Sequence, residues 1–250
     1  MALTDNLVSY WKLDESSGNA ADSVGSNTLT NNSSIAYGTG IINNGADIEN
    51  SLGEGQFFSI ADGSQSGLDI TGDISFSFWI KFETLPLASL ATPIAKWAST
   101  GDQRQYFLTI VDIGVADYRI QCDYRSDGAT TRTVFRSDTL AWSTGVWYHI
   151  VAAADVSAQN WEIYRNDTNT NATADTTGAT SIFNGTGDFA LGRQGSDNTG
   201  YMDAVLDEVG IWSRELTSAE VTELYNGGAG LQYPFGGGGG ATIHPLLMGV

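Results

Sequence analysis

Apolar and polar side chains alternate along much of the chain with a period of two residues. In the stretch ISFSFWIKF the apolar positions share one face of an extended chain: Ile74, Phe76, Phe78, Ile80 and Phe82. The other face carries serines and a lysine, with Trp79 as an exception. Alternation of this kind is typical of a half-buried antiparallel strand.

Similar short runs follow, among them QYFLTIVDI, YRIQCDY, TVFRS, VWYHIVAAA, NWEIYRN, DFALGR and AVLDEVGIW. Gly, Asn, Asp, Ser and Thr fill the segments between them, and the 30 glycines suit many tight turns. This spacing predicts an all-β fold, a two-sheet antiparallel jelly-roll sandwich.

One short helix is predicted near the C-terminus, in ELTSAEVTELYNGG. Thr217 stands at the N-cap and Glu220 follows three residues later, which is the spacing of a capping box. Gly227 or Gly228 is expected to end the helix.

The chain changes character after residue 235. Residues 236–240 are five glycines and form a flexible linker, and residues 241–250 form a short apolar tail. We expect the tail to dock on other subunits of an assembly. The side chains that would make this contact are Ile243, Leu246, Leu247 and Met248. A disordered tail and an engineered linker stay open as alternatives.

Charge and composition exclude several classes of function. The formal net charge is -18 and the isoelectric point is about 4.1, which disfavours nucleic acid and anionic membrane surfaces as partners. No run of 18 apolar residues predicts a membrane span, and the N-terminus lacks the pattern of a signal peptide. Cys122, the single cysteine, is expected to be a buried free thiol.

Five motifs in order resemble laminin-G-like, concanavalin A-like jelly-roll domains. They are LVSYWKLDESSGNAADSVGSNTLT, ISFSFWIKF, GVWYHIVAAAD, WEIYRNDTNTNAT and LDEVGIWSRELTSAEVTELYN. The resemblance spans about residues 5–233, so one domain is expected over residues 1–235. It departs from the family at Asp167, where glycine is usual. The resemblance implies binding and adhesion more than catalysis, and it fixes no ligand.

Two adjacent acids, Asp207 and Glu208, raise the question of a glycosidase. The wider superfamily includes β-glucanases with the strand pattern Glu-x-Asp-x-x-Glu, whereas Gly210 and Trp212 stand where further acids would be needed. Neighbouring side chains on a strand point to opposite faces, so we expect no catalytic pair. Asp207 is expected to face inward, in phase with Val209, or to lie at the rim of the sandwich. Glu208 is expected to lie at the surface or beside an arginine.

Calcium is the cofactor that the resemblance implies, as a structural ion joining the N-terminal loop to the closing strand. The predicted ligands are Asp22, Gly25, Asn27 and Asp207, with backbone carbonyls supplying oxygens near Gly25 and Asn27. The alternative is that Asp22 caps a turn and Asp207 accepts backbone N–H groups.

Glycan binding is the third possibility, because aromatic rings stack on sugar faces. Trp97 and Trp142 are the candidate ligand-binding residues, since both lie near loops. The polar loops RQGSDNTGY and NDTNTNATADTTGAT offer hydrogen-bonding groups.

Arginines crowd the middle of the sequence, and antiparallel pairing can bring them to one face. They are Arg104, Arg119, Arg125, Arg132 and Arg136. We expect them to pair with Asp123, Asp127 and Asp138 rather than to bind phosphate.

The sequence therefore predicts a non-catalytic structural or adhesive protein at a virion surface or outside the cell. A decoration or fibre component of a viral or phage particle, with possible glycan binding, is the leading interpretation. A free-standing carbohydrate-binding module is the alternative, and a β-glucanase is the weakest.

Overall fold

The computed structural model describes residues 1–50, 55–86 and 89–236. Within them the strands run, in chain order, β1 (Leu7–Trp11), β2 (Thr30–Asn32), β3 (Ala36–Thr39), β4 (Asn44–Ile48), β5 (Phe57–Ile60), β6 (Ile74–Thr84), β7 (Leu90–Lys96), β8 (Tyr106–Asp112), β9 (Tyr118–Arg125), β10 (Arg132–Arg136), β11 (Trp147–Asp155), β12 (Asn160–Arg165), β13 (Thr168–Asn169), β14 (Thr173–Thr176), β15 (Phe189–Leu191) and β16 (Asp203–Trp212). One α-helix, α1 (Ser218–Tyr225), follows the last strand.

These strands form two antiparallel sheets of eight strands each, so the predicted all-β sandwich is confirmed. The first sheet has the order β13-β12-β11-β6-β16-β4-β3, and β1 also pairs with β16. The second sheet has the order β14-β10-β9-β8-β7-β15-β5-β2. Neighbouring strands are often distant in sequence, which is what a jelly roll requires.

The main core lies between the inner faces of the two sheets. Each apolar position of ISFSFWIKF points into it, as the alternation predicts. Cys122 is also fully buried there, as predicted. Trp79 faces the other way, where its ring stacks on Tyr225 of α1 at 5.7 Å between centroids. The exception to the alternation is explained because the outer face of the first sheet is covered too.

Helix α1 begins with the predicted capping box. The Thr217 side chain accepts from the Glu220 backbone N–H, and the Glu220 side chain accepts from the Thr217 backbone N–H. The helix ends at Asn226, which adopts a left-handed conformation with φ 49°. An asparagine therefore ends the helix one residue before the glycines expected to do so.

The segment after α1 crosses the outer face of the first sheet, and we name residues 229–235 the C-terminal strap. Leu231 and Phe235 pack in a second apolar cluster with Trp212 and helix residues. The Tyr10 hydroxyl donates to the Leu231 carbonyl oxygen at 3.2 Å. The strap thus holds the end of the described chain against β1 and β16.

None of the helices in the described part of the chain has the length and hydropathy of a membrane-crossing segment. The predicted linker beyond residue 236 and the apolar tail lie outside the described residues.

Candidate functional site

A cavity of about 250 Å³ opens where β6 ends and β16 begins, and we name it the rim cavity. Asp203, at the start of β16, pairs with Thr84, at the end of β6. The cavity is lined by Asn50, Thr84, Leu85, Pro86, Ser89, Leu90, Ala91, Tyr201, Met202 and Asp203.

The lining of the rim cavity combines apolar and polar groups. Leu85, Leu90 and Met202 supply aliphatic surface, and Tyr201 adds an aromatic ring. Hydroxyl, amide and carboxylate groups come from the polar residues that line the same cavity. An apolar cavity with a few polar groups is the usual form of a small-ligand site.

The loop that carries Tyr201 is the predicted polar loop RQGSDNTGY, residues 193–201. The Tyr201 hydroxyl donates to Asn198 Oδ1 at 3.3 Å, and Arg193 Nη1 donates to the same oxygen at 3.1 Å. The Arg193 guanidinium lies 3.5 Å from the centroid of the Phe57 ring. Gly200 has φ +70°, and a Cβ there would lie 2.6 Å from Leu90 Cδ1. These contacts fix the loop against the sheet.

Acidic side chains gather beside the rim cavity at the ends of β4 and β6. Carboxylate oxygens of Asp47, Glu49 and Glu83 lie within 4.8 Å of one another. Burial raises the pKa of Glu49 and of Glu83, and the charges of Asp47 and Asp203 raise both further. This end of the sandwich therefore carries a dense negative charge.

A second cavity, of about 350 Å³, lies between the first loop and the turn after β2. Its lining is Ser17, Gly18, Asn19, Asn31, Ser34 and Ile35. It offers amides and hydroxyls, and its lining includes no aromatic ring.

Asp22, predicted as a calcium ligand, lies in a turn beside β1. Its Oδ1 atom accepts from the backbone N–H groups of Tyr10 at 3.1 Å and Val24 at 3.0 Å, and its Oδ2 accepts from Asn27 N–H at 3.0 Å. A Cβ on Gly25 would lie 2.8 Å from Oδ2, so the glycine lets the backbone approach the carboxylate. These hydrogen bonds satisfy both carboxylate oxygens of Asp22, as the alternative of a turn-capping role predicts.

Asn27 is buried and joins β1 to the loop that carries Ser66. Its Nδ2 donates to Ser9 Oγ and to the Ser66 carbonyl oxygen, both at 2.8 Å, and its Oδ1 accepts from Ser66 N–H at 2.7 Å. Asp207, the fourth predicted ligand, accepts from the backbone N–H groups of Ile41 and Ile42 through Oδ2. The side chains of Asp22, Asn27 and Asp207 thus hydrogen-bond to different segments of the backbone. Calcium binding at these residues stays a prediction.

Asp207 and Glu208 lie in a β-bulge. Asp207 pairs with Trp79 and Gly210 with Ser77, so β16 has one residue more than β6 over this stretch. Glu208 is the additional residue of the bulge, and its φ is 51°. A bulge shifts the alternation. The expectation that Asp207 faces inward with Val209 is therefore wrong, because Asp207 pairs with Trp79, whose ring packs against Tyr225 on the outer face of the first sheet.

Glu208 is buried, which corrects its expected place at the surface or beside an arginine. Its Oε2 accepts from the Tyr10 hydroxyl at 2.5 Å, and its Oε1 accepts from Gln232 Nε2 at 2.6 Å. Burial raises the pKa of Glu208 to about 7. Burial also raises the pKa of Asp207 to about 9, and the nearby Glu208 charge adds to that rise.

Trp97 and Trp142, the predicted sugar-stacking residues, are both buried. Trp97 is 3% exposed and packs edge-on against Phe107 at 4.7 Å between centroids. Trp142 is 8% exposed and packs against Tyr148 at 4.7 Å. A ligand-binding role for either ring stays a prediction, whereas Tyr201 was recognisable only as the aromatic end of a polar loop.

The arginines do share a face, the outer face of the second sheet. Arg125 and Arg132 pair with Asp123, as predicted. The other three take partners near their own strands instead of Asp127 and Asp138. Arg104 pairs with Asp102, Arg119 with Asp117 and Arg136 with Asp175.

Residues 52–222 match the family described as the concanavalin A-like lectin/glucanases superfamily. The chain belongs to this superfamily. The match covers most of both sheets and includes the loop of the rim cavity. The superfamily contains lectins and glucanases, so membership alone does not decide between binding and catalysis.

Solved structures of low identity share the fold. Domain 4 of AbnA, an extracellular GH43 arabinanase from Geobacillus stearothermophilus solved with arabinotriose, has a TM-score of 0.61 at 20% identity. The alignment covers 87% of this chain and 97% of that domain.

Two toxin binding domains are also similar. The botulinum neurotoxin serotype D binding domain has a TM-score of 0.64 at 15% identity, covering 89% of this chain and 52% of the other. The binding domain of Paraclostridial Mosquitocidal Protein 1 has a TM-score of 0.64 at 16% identity, covering 90% and 53%. The chain thus spans about half of each toxin domain. No curated protein matches the chain.

Proposed function

We propose that this protein is a surface-exposed, non-catalytic adhesion module that binds a neutral glycan in the rim cavity. The observation that carries the proposal is the lining of that cavity. Aliphatic side chains and the Tyr201 ring suit the C–H faces of a sugar, and Asn50, Thr84 and Asp203 suit its hydroxyls. The volume of about 250 Å³ suits a small sugar unit rather than a polymer.

The similar structures support binding rather than catalysis, because they are binding domains and an arabinotriose-bound accessory domain. The adjacent acids of β16 also support it. Asp207 is fully buried and Glu208 is 3% exposed, and each carboxyl is held by protein donors. A substrate has no access to acids in this state, so a β-glucanase remains the weaker candidate.

Replacing Tyr201 tests the proposal. We expect Tyr201→Ala to weaken glycan binding about tenfold, because the ring surface that stacks on the sugar is lost. A glycan array would first identify the ligand, and calorimetry with that glycan would compare the two proteins.

Ser17→Ala is the matched control, since Ser17 lines the second cavity and not the first. It should leave binding unchanged. Equal affinity of wild type and Tyr201→Ala, with the fold intact by circular dichroism, would overturn the rim cavity as the glycan site.

We also propose that the protein is a component of a viral or phage particle, of decoration or fibre type. Its acidic composition, rich in Asn, Thr and Gly, supports an exposed position on an assembly. The apolar sequence of residues 241–250 supports attachment to other subunits.

A further inference from the structure

The outer face of the second sheet carries a row of four side chains at the aligned ends of β7, β8, β9 and β10, and we name it the arginine row. Lys96 pairs with Tyr106, Tyr106 with Tyr124, and Arg132 with Arg125. The neighbouring positions are therefore abreast. The row consists of Trp97, Gln105, Arg125 and Arg132, and it spans about 14 Å at the usual strand spacing.

Gln105 lies in the row without a hydrogen-bonding partner. It is fully buried, and neither its Oε1 nor its Nε2 has a partner among the residues that the structure describes. The indole Nε1 of Trp97 beside it is also buried without a partner. Buried polar groups are nearly always paired, and each unpaired one costs roughly 1–3 kcal/mol. The row thus contains one acceptor and two kinds of donor that a polar ligand can satisfy.

Two arginines lie over the Trp97 ring at this end of the row. The guanidinium of Arg125 lies 5.0 Å from the ring centroid, and that of Arg104 lies 6.0 Å from it. Arg125 Nε donates to Asp123 Oδ1 at 3.2 Å and its Nη2 donates to Oδ2 at 3.4 Å, while Nη1 donates to the Ala129 carbonyl oxygen. This bidentate ion pair with Asp123 is the geometry in which arginine usually binds a carboxylate.

Asp123 shows which ligand group suits the row. It is 1% exposed, and burial raises its pKa to about 6 although both arginines lower it. Arg125 and Arg132 are therefore paired with the carboxylate of Asp123, whose charged form is disfavoured by burial. Arg132 keeps an accessible guanidinium, since its side chain is 40% exposed and its nitrogen lies 3.8 Å from Asp123.

We propose that the arginine row is a second binding site, distinct from the rim cavity, and that it binds a sugar that carries a carboxylate. The ligand carboxylate pairs with Arg132 and replaces Asp123 as the partner of Arg125, while the buried Asp123 takes up a proton from solvent. Movement of Arg125 and of Arg104 uncovers the Trp97 ring, so that the ring and Gln105 pair with the sugar face and hydroxyls. In a chain of net charge -18, this face is where basic side chains are concentrated.

Binding of glucuronate oligosaccharides, measured by calorimetry and by tryptophan fluorescence, tests the proposal. We expect Arg132→Ala to weaken binding about tenfold, because a charged contact is lost. Added salt should weaken binding by the wild type, because it screens the ion pair. The neutral glucose oligosaccharides should not compete.

Two further variants keep the outcome clear. Arg136→Ala is the matched control, since Arg136 lies on the same strand and face but pairs with Asp175. It should bind normally. Gln105→Leu removes the unpaired amide, so it should weaken glucuronate binding while leaving the unfolding temperature equal or higher. Equal affinity in Arg132→Ala and wild type, or full competition by the neutral sugar, would refute the site.

The two proposed sites can be tested independently of each other. Tyr201→Ala should leave glucuronate binding unchanged, and Arg132→Ala should leave neutral glycan binding unchanged. Loss of both activities in either variant would mean one shared site and would overturn the second.

Discussion

At the scale of single residues, Asp207 and Glu208 depart most from what strand geometry leads one to expect. One additional residue in β16 lets Glu208 take a left-handed conformation. Both acids are then buried, and Asp207 Oδ1 has no hydrogen-bonding partner. A buried carboxyl in this situation holds its proton more tightly than in water, because burial disfavours the charged form.

The stability that Asp207 contributes should therefore fall as the pH rises from about 4 to about 9. Asp207 has a pKa of about 9 in the fold against an ordinary value of 3.8, so the folded state binds the extra proton over this range. Asp207→Asn keeps an acceptor for Ile41 N–H and removes the ionisation. We expect its free energy of unfolding to fall less than that of wild type between pH 7 and pH 9, and to exceed that of wild type at pH 9.

Denaturant unfolding at pH 5, 7 and 9 makes this comparison. Asp102→Asn is the control, since the Asp102 side chain is 61% exposed. It should retain the wild-type dependence on pH. A constant loss of stability in Asp207→Asn at every pH would show that the acid is ionised in the fold.

The sequence led us to expect an inward or rim position for Asp207 and a surface position for Glu208, and it missed the face that Asp207 takes and the burial of Glu208. The alternation in ISFSFWIKF was sufficient because each residue of β6 follows the pleat. It failed in LDEVGIW because the bulge depends on pairing with β6, a contact distant in sequence. Tyr201 was missed for a similar reason, since its cavity forms only where the ends of β4 and β6 meet the start of β16.

At the scale of structural elements, the turn around Asp22 joins the N-terminal loop to β1. Backbone N–H groups occupy both carboxylate oxygens. The resemblance placed calcium here, and a cation would instead require carbonyl oxygens to turn towards Asp22. The element therefore has two possible ways of being stabilised, which chelation distinguishes.

Calcium removal is the test at this scale. If the proposed ion is bound, a chelator should lower the unfolding temperature by several degrees, because ligand binding stabilises the fold. Asp22→Asn should abolish the response to calcium, while Glu49→Gln, in the acidic cluster, should retain it. Identical unfolding temperatures with and without chelator would leave hydrogen bonding as the role of Asp22.

At the scale of the whole molecule, the sandwich is covered differently on its two outer faces. Helix α1 and the C-terminal strap cover the first sheet, whereas the arginine row and its ion pairs occupy the second. The outer face of the first sheet is thus covered by apolar packing, whereas that of the second sheet carries paired charges. The motif order predicted the covering helix, but the strap followed no recognisable pattern.

Deleting residues 237–250 tests the proposed attachment through the tail. We expect the shortened protein to unfold at the same temperature, since the described core lies within residues 1–236. It should lose association with other copies or subunits, as measured by light scattering during size-exclusion chromatography. Replacing Leu246 and Leu247 together by serine should have the same effect, because the contact is apolar. Unchanged association in both variants would exclude the tail as the docking segment.

The position of the C-terminal strap would affect how several copies of the protein bind one polymer. Trp212 Nε1 donates to the Leu3 carbonyl oxygen at 2.6 Å, and Phe235 packs over the same ring. Residues near both ends of the described chain thus lie on the first sheet. If copies assemble through these ends as proposed, their second sheets would face away from the contact, and weak sites on neighbouring copies could engage one polymer together. Avidity would then come from the route of the strap rather than from the strength of any single site.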